Sequence, residues 1–304
     1  MKFLIVGHLC FDVIHPVEGP KVQSYGGITY AVATLASLLG KNDSVNPVFG
    51  VHRGDYAALL EHLAQYPNVE TSGIFKTDEP TNRVHLFYKD QTTRIECSKD
   101  IARPIPYEKI RRHLSVDGIL VNMISGFDIT IETMDHIRMA VRGHKIPIHF
   151  DYHSLTLGIQ ENFERFRRPV VDWRRWAFMT DTVQMNEEEI AGLTIEPSTE
   201  KQTVGHLLTL SVKGVVVTRG VNGATVYTSD KKHVVRKDIP GIPVEHIVDT
   251  TGCGDIFGAA FLLHNVRTSD IGGAAAYANG IAASTVHMPG IQSLQTLRDV
   301  SASA

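Results

Sequence analysis

"DTTGCGDIFGAAFL", residues 249–262, sets three glycines and two aspartates at the mouth of an otherwise apolar run. After Asp255, the residues Ile256, Phe257, Ala259, Ala260, Phe261 and Leu262 are apolar around most of a helical circumference, which predicts a buried helix. Its start follows Thr-Gly-Cys-Gly. Glycines let the backbone turn sharply and approach a ligand, while the first helical turn leaves its N–H donors unpaired. The helix dipole adds partial positive charge at the same place, so the turn is an anion site suited to phosphate. Beside a bound hydroxyl, Asp255 would be placed as a general base. A lone Gly-x-Gly-Asp is common, however, and by itself reads more plainly as a carboxylate complementing a helix start.

Outward from this stretch, short apolar runs recur: "KFLIVG" (2–7), "GILVNM" (118–123), "IPIHFD" (146–151), "AFMT" (177–180) and "GVVVTRG" (214–220). Nearly unbroken apolar runs predict parallel strands buried on both faces. Between them lie helical patterns. In "GGITYAVATLASLLG" (26–40), Ile28, Ala31, Val32, Leu35, Leu38 and Leu39 repeat at three-four spacing, and Gly40 supplies a stop. This alternation predicts an α/β fold, a mostly parallel sheet covered by helices. In "RVHLFYKDQTTRIECS" (83–98) the pattern changes to period two around the polar turn "KDQT". That predicts a half-exposed antiparallel hairpin, either a small lid or an ordinary surface meander. No linker or repeat divides the chain, so residues 1–304 are expected to form one domain, with a β appendage from about 11–25 and 81–100.

The 304 residues carry a net charge of -3, with no basic footprint that would suit nucleic acid. Cys10, Cys97 and Cys253 lie far apart without a C-x-x-C pair, which points to reduced thiols in a cytoplasmic protein. The apolar start "MKFLIV" is too brief for a signal segment and reads as a strand, and no apolar run reaches the ~20 residues that span a bilayer. There is no G-x-x-x-x-G-K-[ST] loop, and Gly252, Gly254 and Gly258 miss the dinucleotide fingerprint by one residue. No nucleophile elbow or H-E-x-x-H is present. His149 and His153 straddle a strand end and support no metal site. The arginines at 165, 167, 168, 174 and 175 read as a solvated face, with a grip on an anionic substrate as the minor alternative.

Taken in order, several motifs resemble the ribokinase-like (PfkB) carbohydrate kinase family over essentially the whole chain. "DTTGCGDIFGAAFL" is similar to its C-terminal signature, and "YGGITYAVATLASLLG" to its N-terminal one. "GHLCFDVI" (7–14), "NEEE" (186–189), "VVVTRGVNGATVY" (215–227), "YANGIAAS" (277–284) and "PGIQS" (289–293) match further landmarks. Asn186-x-x-Glu189 is also a plain capping box. The resemblance implies a ribokinase-like α/β fold with a small antiparallel β lid. It implies transfer of the γ-phosphoryl group of ATP to a hydroxyl of a sugar. Asp255 is then the base, and the N–H groups of Gly252, Cys253 and Gly254 form the anion hole. Asp12, Gly26, Gly27 and Tyr30 would hold the acceptor. Asn186, Glu189, Thr218, Gly220, Gly223 and Asn279 would serve the nucleotide, with Glu189 acting on Mg2+ through water. Asp249, Thr251 and Ser293 stand where family members place a K+ ion.

Three departures modify the expectation. Cys10 and Ala31 stand where sugar kinases of this type carry asparagines, which argues against ribose and toward a less polar acceptor such as a nucleoside. Cys253 replaces the usual alanine and puts a thiol at a helix N-terminus, where its pKa should fall. Two other function classes compete: a non-catalytic nucleotide or sugar sensor, and a dinucleotide-dependent oxidoreductase. A homodimer through the exposed hairpin is a further expectation, with no membrane or nucleic-acid partner.

Overall fold

Phe3, Leu4, Ile5 and Val6 have no solvent exposure, so the strand they form is covered on both faces, as its unbroken apolar pattern requires. The computed structural model describes residues 1–89, 94–231, 233–287, 291, 294 and 297. It places this strand, Lys2–Val6, inside a nine-stranded sheet. Across the sheet the order is His233–Pro240, Gly223–Asp230, Gly214–Thr218, Thr182–Asn186, Ile148–Asp151, Gly118–Asn122, Lys2–Val6, Ser44–His52 and Ile74–Thr77. From Gly214–Thr218 onward every pairing is parallel. The first two strands add an antiparallel edge.

Helices cover both faces, and neighbouring side chains on one strand show it. His149 stacks on Phe261 of helix Cys253–Thr268 at 4.5 Å between ring centroids, whereas Phe150 meets Trp176 of helix Trp173–Phe178 at 5.4 Å. Consecutive strand residues point to opposite faces, so these two helices lie in different layers. Helix Ile28–Leu38 is buried at all of its residues, well beyond the stripe expected from its spacing. It packs against Lys2–Val6 and Ser44–His52 as well as against Cys253–Thr268, which encloses it.

One expected strand is absent. "AFMT" (177–180) is the end of helix Trp173–Phe178 and the turn after it, and the strand runs Thr182–Asn186 instead. Trp173, Trp176 and Ala177 are buried at three-four spacing, so their apolar character serves a helix face. The true strand escaped the apolar pattern because Thr182 and Gln184 are polar and buried.

A second sheet, in the order Val22–Gly27, Leu9–His15, Asn82–Tyr88, Arg94–Lys99, includes the hairpin expected at 83–98. Its outer pairs are antiparallel and its central pair, Leu9–His15 with Asn82–Tyr88, is parallel. A short hairpin, Leu157–Ile159 with Arg165–Arg167, abuts it through a bridge between Cys97 and Glu164.

Candidate active site

Parallel strands all end on the same edge, and several here end in polar residues. Asn122 lies beside Asp151, Gln184 beside Asp151, and Asn186 beside Thr218. The carboxyl edge of an open α/β sheet is where such folds bind ligands. A cavity of about 410 Å3 opens there, bounded by the strand ends, the start of helix Cys253–Thr268 and the inner face of the small sheet.

That helix begins at Cys253, ahead of Asp255, with Gly252 as its N-cap in the left-handed region at φ 78°. A Cβ on Gly252 would overlap the Tyr30 ring, so the turn needs glycine twice over. The N–H of Cys253 donates to Thr250 O at 3.3 Å. The N–H groups of Gly252, Gly254 and Asp255 have no backbone or side-chain acceptor among the described residues. Gln184 ties the helix start to the sheet: its Nε2 donates to Gly254 O at 2.9 Å and reaches Asp151 Oδ2 at 3.3 Å.

Asp255 is 7% exposed, and its Oδ1 accepts from Asn122 Nδ2 at 2.6 Å. Burial pushes its carboxyl up; His153 and the Asn122 hydrogen bond pull the other way, and Glu189 and Asp128 push it further up. Burial also drives Asp151 well up, against the pull of His153. His153 sits among these carboxylates, with Nδ1 3.9 Å from Glu189 Oε1 and a strained φ of 32°. Burial opposes its protonation, but Glu189, Asp255 and Asp151 outweigh burial and raise its pKa to about 10. Its ring is 44% exposed to the cleft, so water screens part of that field.

Asn186 and Glu189 form the capping box that their spacing allows. Asn186 Oδ1 accepts from the Glu189 N–H at 2.8 Å, and Glu189 Oε2 accepts from the Asn186 N–H at 2.8 Å. Asn186 Nδ2 also donates to Glu189 Oε1 at 2.9 Å. The cap holds a buried carboxylate at the cavity wall.

At the other end, strand Leu9–His15 places Asp12 and Cys10 on the wall, with Cys10 Sγ donating to Asp12 Oδ1 at 3.4 Å. Burial, reinforced by Asp12, pushes the Cys10 thiol well up. Gly26 lies directly under the Asp12 carboxylate, where a Cβ would overlap it, and so does not itself face the cavity. Gly27 and Tyr30 do face it, as do Thr218, Gly220, Gly223, Thr251 and Asn279. The Asn279 amide is spent on Pro240 O at 2.9 Å.

Asp249 stands outside the cavity wall, with Oδ1 accepting from the Thr251 N–H at 2.8 Å. Ser293 lies outside the described residues. The expectation of a lowered Cys253 thiol pKa is overturned. Burial, with the Asp249 and Asp255 carboxylates beside it, pushes the thiol up to about 11, and a hydrogen bond to Thr285 only tempers this. Desolvation of a thiolate outweighs the helix dipole here.

Sequence reasoning missed Asn122, Asp151, His153, Gln184 and Glu96. For the first two the signal was a polar residue closing an apolar run. Of the five arginines, four make surface contacts: Arg167 pairs with Glu188, Arg175 with Asp135, Arg168 covers Phe127 and Arg174 covers Trp173. Arg165 instead turns inward, donating to Ser125 O at 2.8 Å.

Residues 165–297 match the pfkB family carbohydrate kinase profile. The fold likeness runs further. Ribokinase from Thermotoga maritima superposes over 100% of this chain and 99% of its own, with a TM-score of 0.76 at 21% identity. A Burkholderia thailandensis nucleoside kinase in complex with inosine covers 99% of this chain and 95% of its own, with a TM-score of 0.73 at 16% identity. The architecture is therefore ribokinase-like. A curated relative, a nucleoside kinase of Methanocaldococcus jannaschii, is 38% identical over 60 residues, which is 20% of this chain and 18% of that kinase. The pfkB match includes Asn186, Glu189, Thr218 and the whole of "DTTGCGDIFGAAFL", whereas Asp12, Gly26, Gly27 and Tyr30 lie ahead of it.

Proposed function

We propose that the protein transfers the γ-phosphoryl group of ATP to a hydroxyl of a sugar or sugar-bearing acceptor, with Asp255 as general base. One observation carries this reading: a buried carboxylate sits in the first turn of a helix whose leading N–H groups open into the same cavity as Asp12. The acceptor oxygen attacks the γ-phosphorus, the bond to ADP breaks, and the hydroxyl proton passes to Asp255. The N–H groups of Gly252 and Gly254 meet the charge on the phosphoryl oxygens. Cys253 contributes less to that hole than expected, since its N–H is already directed at Thr250 O. Asp12, over Gly26, holds acceptor hydroxyls, and Tyr30 and Gly27 shape that end of the pocket. Thr218, Gly220, Gly223, Asn186 and Asn279 line the donor's side.

Magnesium, when bound, supplies positive charge to the β- and γ-phosphates. Glu189 suits an approach through water, because Asn186 already donates to both of its carboxylate oxygens. For potassium the fit is partial: Thr251 faces the cavity but Asp249 does not. The small sheet acts as the lid that excludes water from the reaction. On its outer face Phe87, 39% exposed, stacks on His15 at 4.2 Å, and a second copy would pair there. No helix among the described residues is long and apolar enough to cross a membrane, and we place the reaction in the cytoplasm.

The test is ADP release over a panel of sugars and nucleosides, with magnesium present. Transfer to at least one acceptor that requires Asp255 supports the proposal. ATP binding without turnover of any acceptor favours a sensor instead.

A further inference from the structure

The acceptor end of the cavity holds a group that the proposed phosphoryl transfer does not use. Glu96, on strand Arg94–Lys99, faces the cavity from the inner side of the small sheet. Two register pairs, Asp12 with Val84 and Leu86 with Glu96, put Asp12 and Glu96 on one face, two strands apart. Strands are spaced by about 4.8 Å, so the two carboxylates are separated by roughly 10 Å across the sheet, with a further offset along it. Between them stand Val84 and Leu86, and Ile124 faces the same space. Among the described residues, no lysine or arginine lines the cavity. The guanidinium whose field reaches Glu96 is that of Arg165, which is held by Ser125 O and Ser154 O. Among the described residues, the Glu96 carboxylate has no hydrogen-bond or ion-pair partner.

We infer that Glu96 is a specificity-determining residue that accepts hydrogen bonds from N–H groups on the acceptor, and that the acceptor is a nucleoside. This rests on the reading of Asp12 as the hydroxyl-holding residue in the kinase proposed above. A single pentose or hexose ring held by Asp12 leaves Glu96 unused and the aliphatic plate uncovered. A nucleoside covers both: its sugar diol sits on Asp12, its flat base lies against Val84, Leu86 and Ile124, and its outer edge meets Glu96. An ionised carboxylate only accepts, and its two oxygens suit two donors side by side. Guanine presents such a pair, the ring N1–H and the exocyclic amine. Sugar phosphates and sugar acids are disfavoured, because Asp12 and Glu96 would repel them. The half-buried position of Glu96 means that an unmatched base leaves the carboxylate poorly paired, which turns a hydrogen bond into discrimination.

The experiment is calorimetric titration of the full chain with guanosine, 1-methylguanosine, uridine, ribose and glucosamine, for wild type and Glu96→Gln. A hydrogen bond to a charged group corresponds to about 10- to 100-fold in affinity. Guanosine is expected to bind tighter than 1-methylguanosine by that factor. Glu96→Gln should remove most of the difference while leaving uridine within about threefold. Equal binding of the two guanosines, or Glu96-dependent preference for glucosamine or ribose, overturns the inference. So does a complete failure of nucleosides to bind. ADP release is measured in parallel. Turnover of ribose without any nucleoside overturns this inference and leaves the kinase reading standing. Glu96-dependent nucleoside binding without turnover does the reverse.

Discussion

Replacing Asp255 with asparagine preserves the side chain's shape and an oxygen that can accept from Asn122 Nδ2, now 2.6 Å away. What it removes is the proton acceptor of the proposed mechanism. Loss of a general base costs about two to four decades of rate, or about 2.7–5.4 kcal/mol at 1.36 kcal/mol per decade. The surroundings point to the upper half of that range. With 7% exposure, Asp255 leaves little room for water as a substitute base. Stability should move the other way. The folded-state pKa of Asp255 is raised, so the native state binds more protons than the unfolded one between the ordinary carboxylate range and the raised value. Its ionised form therefore destabilises the fold above the raised pKa, and that cost disappears as pH falls through the ordinary range. Asp255→Asn should equal or exceed wild type in stability at pH 8, with the difference shrinking toward acid. The assays are initial rates of ADP release at saturating donor and guanidinium unfolding at two pH values. A variant that folds normally and retains more than a tenth of the wild-type rate would refute the role of Asp255.

Five further outcomes are expected. Gly252→Ala meets both a left-handed φ and the Tyr30 ring, so chemical unfolding should show a loss of about 1–3 kcal/mol, and a Tyr30→Ala background should recover only the steric part. Asn186→Ala removes an N-cap and should cost about 1 kcal/mol. Glu189→Gln should raise the magnesium concentration needed for half-maximal rate, beyond the stability it loses by turning an amide nitrogen toward one of the Asn186 donors. Cys253, with its pKa near 11, should react with iodoacetamide at pH 7 about 100-fold more slowly than a free thiol, accelerating as pH rises toward that value. Peptide mapping after timed alkylation checks this. Phe261→Ala opens a fully buried site between helix and sheet and should cost about 3–5 kcal/mol in the same unfolding assay.

Much of the sheet was legible because its strands are buried on both faces, so "KFLIV", "GILVN" and "GVVVT" needed no alternation to declare themselves. "TVQMN" was not legible, since Thr182 and Gln184 answer to His149 rather than to the core: Thr182 Oγ1 lies 2.8 Å and Gln184 Oε1 3.3 Å from its ring nitrogens. Val183 and Met185 still alternate along it, but with polar residues buried on the other face the segment lacks the unbroken apolar run that marks its neighbours. The candidate site divides in a similar way. Residues in glycine-bearing turns could be read from local pattern, and most of them face one cavity. Residues contributed singly by strand ends could not, because only the sheet register makes Asn122, Asp151 and Gln184 neighbours. Cys253 shows the limit of a local rule. Its place at a helix start argued for an acidic thiol, but the opposing quantity, how much water the thiolate would lose, belongs to the tertiary structure.

The packing of Tyr30 against Gly252 has a consequence for how the proposed reaction is timed. Helices Ile28–Leu38 and Cys253–Thr268 touch along their length, and this ring wedges their leading ends together. The turn beside the acceptor and the turn beside the phosphate are therefore parts of one solid block, aligned before either substrate arrives. Little binding energy is then needed to bring the two reactants into line, and the entropic cost of their alignment is met during folding. Such a block cannot itself open and close around its cargo. In the proposed reaction entry and exit would fall to the small sheet, and the slow step of a turnover cycle is expected to be its movement rather than the making of the phosphate bond.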